Sequence, residues 1–206
     1  MSAEIQQIYL DHPQPRLIKR AVDIIVGGGI VIYPTDTIYG LGVDIFNKNA
    51  MNRVLRIKRA SQHKLLSFVC PDLKDLSRWA IIPTYAYKIM KRVTPGKYTF
   101  ILRATREVPK LLLQKRKTVG IRIPDSVVVQ NLLAELGRPL LSTSVPQGTD
   151  SYYTDPVEIA DMFNNEIDLI LDAGIMFNQP STIVDFSSNE PVILREGSGD
   201  LNALSF

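Results

Sequence analysis

The sequence predicts an α/β domain: a twisted, open sheet with parallel and antiparallel strands and flanking helices. Three observations carry that expectation. Strand-like and helix-like segments interleave along the whole chain. No repeat, low-complexity tract or Pro/Gly-rich linker interrupts them, so residues 1–206 read as a single domain. The last strand-like segments lie too close together for helical crossovers, which requires some antiparallel pairing.

Each element has its own signal. Residues 15–26 set Leu17, Ala21, Ile24 and Ile25 on one helical face, and the glycines at 27–29 stop that helix. "IVIYP" (30–34) is a buried strand ending at a proline, which has no N–H to donate to a central ladder. Residues 48–58 are helical, with Met51, Val54, Leu55 and Lys58 on one side. "LLSFVC" (65–70) is a short strand, and residues 82–93 form another helix. "YTFILRA" (98–104) is a strand introduced by the Pro95-Gly96 turn. "TVGIRIP" (118–124) is a strand, and the helix after it carries Val129, Leu132, Leu133 and Leu136 before stopping at Gly137. "PLLSTS" (139–144) is a strand whose end bears hydroxyls. At 155–163, Asp155 suits an N-cap and Pro156 the first helical position. Residues 167–174, 181–186 and 191–197 complete the chain as strands.

Composition narrows the function. Hydrophobic residues at 45% and charged residues at 22% are those of an ordinary soluble globular protein. The single cysteine, Cys70, cannot form an intramolecular disulfide and fits a reducing cytoplasm. No apolar run is long enough to span a bilayer, and no secretory signal is visible. Two histidines and no Cys/His cluster argue against a zinc site. Net charge is +3, yet residues 53–122 hold 18 Lys and Arg against 3 Asp and Glu. That segment suits an anionic ligand, either a nucleotide or RNA, or else a set of solvated helix faces.

In open α/β sheets, ligands gather where strands end and loops begin. The strand ends here carry Thr35 and Thr37, Thr118 and Arg122, Ser142 and Ser144, Ser181 and Thr182, and Arg195 with Gly197. Hydroxyls and guanidinium groups recur, whereas carboxylates are nearly absent, Asp36 being the exception. Such a set stabilises negative charge and transfers few protons. Lys58 also has a bland reading, as a surface helix lysine. Trp79 and Phe100 read as core, and the 145–154 segment as a loop able to close over a ligand.

"YPTDTIYGLG", "TPGKYTFIL", "VGIRIP", "LSTS", "STIVDF" and "LREG" occur in that order between about residues 8 and 195. In this they resemble the YrdC-like family of threonylcarbamoyl-AMP synthases, and within it the YciO branch. The resemblance implies a twisted α/β sheet with a basic concave face. It also implies a reaction joining threonine, bicarbonate and ATP into threonylcarbamoyl-adenylate with release of pyrophosphate, in support of tRNA threonylcarbamoyladenosine synthesis. By resemblance, Lys58 and Arg122 are the catalytic groups. Thr37, Arg122, Ser142 and Ser181 hold the amino acid, with Gly40–Gly42 a turn that lets the protein backbone approach the ligand. Lys58, Lys64, Thr118, Ser144 and Arg195 face the nucleotide, and magnesium arrives on the triphosphate. The basic face also suits tRNA or double-stranded RNA, as a substrate or as the ligand of a non-catalytic binding protein.

Two positions depart from the synthase pattern. The KxR motif reads Lys58-Arg59-Ala60, and the SxN motif reads Ser144-Val145-Pro146. A lost guanidinium removes charge-assisted bonds of about 1.5–3 kcal/mol each, and proline in place of asparagine deletes an amide and a backbone donor. Weak or altered synthase activity is the expectation.

Overall fold

The computed structural model of the chain describes residues 3–58, 66–74, 76–113, 117–148, 151–176 and 179–205. In chain order the elements begin with β1 (Glu4–Gln7), α1 (Pro15–Val26), β2 (Val31–Tyr33), β3 (Gly40–Asp44), α2 (Lys48–Ile57), β4 (Ser67–Val69) and β5 (Ala80–Ile81). Next come α3 (Thr84–Val93), β6 (Tyr98–Ala104), α4 (Lys110–Leu113), β7 (Thr118–Arg122), α5 (Val127–Leu136) and β8 (Leu140–Ser144). The chain continues through β9 (Pro146–Gln147), β10 (Ser151–Tyr152), α6 (Pro156–Phe163), β11 (Leu169–Asp172), β12 (Thr182–Asp185) and β13 (Val192–Arg195).

Among the described residues, eleven strands form one sheet in the order β1-β11-β2-β3-β8-β4-β7-β6-β12-β13, with β5 paired to β6. The pairs β1/β11, β11/β2, β4/β7 and β6/β12 are parallel. The remaining pairs are antiparallel, including β12 with β13, so the mixed sheet expected from the short terminal connections is present.

Local chemistry fixes the helix ends. The Asn47 side chain accepts from Ala50 N, Ser126 from Val129 N and Asp155 from Val157 N, each satisfying an orphan amide of a first turn. Gly137 closes α5 in the left-handed region at φ 68°, where a side chain would be strained. Helix α1 is turned slightly from its expected face. Ile18, Ala21, Val22 and Ile25 are buried, while Leu17 and Ile24 flank them at the margin.

Alternation along the strands sends side chains into two cores. Ile32, Leu41, Phe68, Phe100, Ile121, Leu141 and Val184 point to one face, packed with residues of α2, α3 and α6. Trp79 belongs to this core as well. On the other face, α1 and α5 cover Val31, Tyr33, Val69, Leu140, Leu169 and Leu171. No described residue of β6, β7, β12 or β13 joins that second cluster. The helices therefore roof only one half of that face.

Five strands escaped the sequence reading: β5, β9 and β10, of two residues each, and the longer β1 and β3. β1 carries only one strong hydrophobe, Ile5, and is held at the sheet edge by β11. The Gly40–Gly42 segment, expected as a turn, is the first half of β3, a central strand between β2 and β8. Its glycines answer to packing. A Cβ on Gly40 would fall 2.9 Å from Tyr33 Cζ, and one on Gly42 would fall 2.7 Å from Tyr33 Cε1 and 2.8 Å from Leu140 Cδ2. Glycine inside a strand usually weakens it, which is why the sequence suggested a bend. Here the missing side chains make room for a tyrosine ring.

Candidate functional site

Where α1 and α5 stop, the strands themselves line a cleft. Its walls include Gly40, Ser142 and Ser144, then Lys58, Arg122 and Thr99, then Ser181, Tyr152 and Arg195. Sheet register builds the floor. Arg195 lies opposite Ile183, Ile183 opposite Thr99, Thr99 opposite Arg122, and Arg122 opposite Val69. One step along the strands, Gly120, Ser67, Ser142 and Gly42 form a second row.

Arg122 anchors one wall. Its Nη2 donates to Asp36 Oδ1 and Thr37 Oγ1, both at 2.6 Å, and to Thr35 Oγ1 at 3.3 Å. Asp36 is held in turn by the Asp125 backbone N–H at 3.1 Å on its second oxygen. The ion pair is nearly dry: 11% of the Arg122 side chain and 4% of the Asp36 side chain are exposed. Arg122 Nε is buried with no hydrogen-bond partner among the described residues. A buried donor of that kind is normally satisfied, so a cleft-lining guanidinium with an open Nε is suited to an acceptor group of a ligand.

The opposite wall is also cationic. Arg195 donates from Nε and Nη2 to the Ser181 carbonyl at 3.1 and 2.8 Å, and from Nη1 to the Tyr152 hydroxyl at 2.8 Å. Burial lowers its pKa from the ordinary arginine value. Thr99 and Ser181 share a hydrogen bond of 2.8 Å behind it. Lys58, at the end of α2, is buried and donates to Thr143 Oγ1 at 2.6 Å. Burial, and then the positive charge of Arg195, pull the Lys58 ammonium down to about 7. The surface-lysine alternative for this residue is thereby excluded.

Of the residues singled out from sequence, Lys58, Arg122, Ser142, Ser144, Ser181 and Arg195 line one cleft. Thr37 is fully buried behind Arg122 and spends its hydroxyl on the guanidinium. Thr118 does not join them. It starts β7 opposite Arg103, four residues and about 13 Å along the strand from Arg122. Lys64 and Ala60 lie outside the described residues. Thr182 is structural: its hydroxyl donates to Gly199 O and accepts from Gly197 N and Gly199 N. The 145–154 segment, expected as a loop, forms the β9/β10 hairpin in its described part, with Tyr152 opposite Pro146.

Sequence reasoning missed Ser67 and Thr99, and placed Tyr152 only within a loop able to close over a ligand. Thr99 had a readable signal, since it alternates with the apolar Tyr98 and Phe100 on a strand, and a hydroxyl there marks a different environment. Among the described residues no group of three or more His, Cys, Asp or Glu could hold a metal ion. None of the described helices is long and apolar enough to cross a membrane.

The family model described as telomere recombination (Sua5, YciO and YrdC) matches residues 23–197. The chain belongs to the Sua5/YciO/YrdC family. Within this family it is 44% identical to YciO of Escherichia coli (strain K12) over 196 residues, 94% of this chain and 95% of that protein. The crystal structure of E. coli YciO superposes with a TM-score of 0.92 at 43% identity, covering 98% of this chain and 99% of the other. A threonylcarbamoyl-AMP synthase of Vibrio vulnificus (strain YJ016) is 30% identical over 87% of this chain and 98% of its own. P. abyssi Sua5, crystallised in complex with L-threonine, matches with a TM-score of 0.85 and 28% identity over 94% of this chain and 57% of the other. The twisted mixed sheet expected from the Sua5/YciO/YrdC resemblance is thus the fold observed.

Proposed function

We propose that the cleft binds an amino acid at its Arg122 wall and a nucleotide at its Lys58–Arg195 wall. There it carries out threonylcarbamoyl-AMP synthase-type chemistry. One observation carries the reading: Arg122, fixed through Nη2 by Thr35, Asp36 and Thr37, lines a cleft whose other wall is cationic and retains a buried Nε with no partner among the described residues. An α-carboxylate suits the planar donor fork, and a triphosphate suits the two cations.

The balance is simple. The threonine amine bonds to the bicarbonate carbon and water leaves, giving the carbamate. Its carboxylate oxygen attacks the α-phosphorus of ATP, the bond to the β-phosphate oxygen breaks, and pyrophosphate leaves. Lys58 and Arg195 offset the charge gathering on the phosphoryl oxygens in that step. Magnesium would be held by the triphosphate itself and would supply Lewis-acid neutralisation of its charge. The product serves threonylcarbamoyladenosine formation on tRNA.

The test is pyrophosphate release from ATP with bicarbonate present, with and without threonine. Threonine-dependent release that disappears in Lys58→Ala supports the reading. Release no greater than in that variant overturns it. A second reading, RNA binding without adenylation, is favoured by the excess of 18 basic over 3 acidic residues at 53–122. Phosphate-dominated binding weakens steeply with salt, so RNA affinity unchanged between low and moderate salt removes this alternative.

A further inference from the structure

The Tyr33 phenol is completely buried beneath the β3 glycines and donates to Ser142 Oγ at 2.6 Å. No other described group meets either hydroxyl. The direction of this bond has a chemical reason. The phenol proton has no second acceptor, so reversing the bond would leave a buried donor unmade, with its full desolvation penalty. Ser142 therefore accepts from Tyr33. Its own proton is then free, and Ser142 lines the cleft.

We propose that Tyr33 is a positioning residue that fixes Ser142 as a hydrogen-bond donor, so the ligand atom facing Ser142 is an acceptor oxygen. The glycines belong to the same device. A Cβ on Gly40 would sit 3.1 Å from the Tyr33 hydroxyl and 3.2 Å from Ser142 Oγ, crowding both partners. Burial raises the Tyr33 pKa to about 12, so the phenol keeps its proton throughout the working range. The arrangement discriminates by chemistry. A carboxylate or carbonyl oxygen accepts the Ser142 proton, whereas an ammonium group there leaves that proton without an acceptor. This inference rests on the amino-acid reading of the Arg122 wall and adds which end of the molecule faces Ser142.

The experiment is a double-mutant cycle read by calorimetric binding of L-threonine and, separately, of ATP. Tyr33→Phe keeps the ring and removes only the donor. It is expected to weaken L-threonine about 5- to 10-fold, and Ser142→Ala to weaken it by a similar factor. The double variant is expected to bind no more weakly than Ser142→Ala alone, because Tyr33 acts only through Ser142. An unchanged affinity in Tyr33→Phe, or a loss that persists in the Ser142→Ala background, overturns the proposal. Should Tyr33→Phe not fold, Ser142→Cys keeps the size of the side chain but weakens the donor, and full affinity in that variant has the same overturning force. If wild type binds ATP but not L-threonine, the amino-acid reading fails, and the same cycle run with ATP decides the Tyr33 assignment. If neither ligand binds, both fall.

Discussion

Arg195 and Tyr152 meet through a single hydrogen bond, guanidinium to phenol at 2.8 Å, and that bond joins the β9/β10 hairpin to the sheet edge at β13. The ring stays close as well, 5.8 Å from the Arg195 carbon at its centroid. Tyr152→Phe keeps that contact and leaves a half-buried donor unpaired. A destabilisation of about 1 kcal/mol is expected, which lowers Tm by about 2–4 °C in a chain of this size. Thermal denaturation measures it; an unchanged Tm means water replaces the phenol at no cost.

Arg122 was legible as a ligand group at a strand end, and such a group should be removable without harm to the fold. The buried Asp36 carboxylate changes that expectation. Arg122→Ala strands a nearly dry carboxylate, at a cost of about 3–5 kcal/mol. Adding Asp36→Asn should recover most of the stability and none of the ligand binding. Urea unfolding separates the two, and an Arg122→Ala variant as stable as wild type contradicts the buried-pair argument.

Lys58 makes stability depend on pH with a definite sign. Its folded pKa of about 7 lies below the ordinary lysine value of 10.5. Between those values the unfolded chain holds a proton that the folded chain has released, so the Lys58 contribution to stability rises with pH across that window. Below about pH 7 both states are protonated and the burial penalty is fully present. The difference in urea midpoint between wild type and Lys58→Met should therefore shift in favour of wild type from pH 7 to 9.5. A flat difference across that range argues that the ammonium remains charged. Phosphate at the same wall restores the proton, so ATP affinity should fall as pH rises through this window, with proton uptake visible in buffers of different ionisation enthalpy.

Gly42 faces Tyr33 and Leu140 at distances that allow no methyl group. Gly42→Ala is expected to cost about 1–3 kcal/mol by overpacking. Leu140→Val, which retracts one of the two neighbours, should reduce that cost when combined with it. Additive losses in the double variant would show that the strain lies elsewhere.

Ala60 and Pro146 stand where the synthase pattern has arginine and asparagine. Ala60→Arg should raise threonine-dependent pyrophosphate release more than Pro146→Asn, and the pair should exceed the sum of the single effects. Pro146 pairs with Tyr152 across the hairpin, so changing it also loosens the phenol that Arg195 holds. A folded double variant with unchanged release would place the divergence elsewhere in the cleft.

Patterns that repeat along the chain were the legible part of this protein. Helix stripes, the Gly137 stop, the Asp155–Pro156 start and the strand ending before Pro34 are local consequences of backbone chemistry, and all are present. Of the strand-end hydroxyls and guanidiniums, Arg122, Ser142, Ser144, Ser181 and Arg195 come together in one cleft, whereas Thr118 and Thr182 do not. What stayed hidden depends on pairing across the chain. Thr118 and Arg122 look equivalent in sequence, and only the register with β6 shows that they sit at opposite ends of one strand. Gly40 and Gly42 read as a bend because the ring they accommodate lies on a different strand. Lys58 stood out by resemblance alone, and only the fold brings Thr143, 85 residues away, to its ammonium.

The half-roofed sheet face has a consequence for assembly. The Arg122 wall needs residues 35–37, 85 to 87 positions earlier in the chain, and the Arg195 wall needs Tyr152 43 positions earlier. Segments from the first quarter, the middle and the last tenth of the polypeptide must all be in place before either wall is whole. A ligand spanning the cleft then acts as a non-covalent clasp on the finished topology, adding stability only to chains whose distant strands have already found one another. An emerging chain that lacks its last strand would have the lysine and the first arginine but only part of the opposite wall, and ligand protection would report that the distant strands have met.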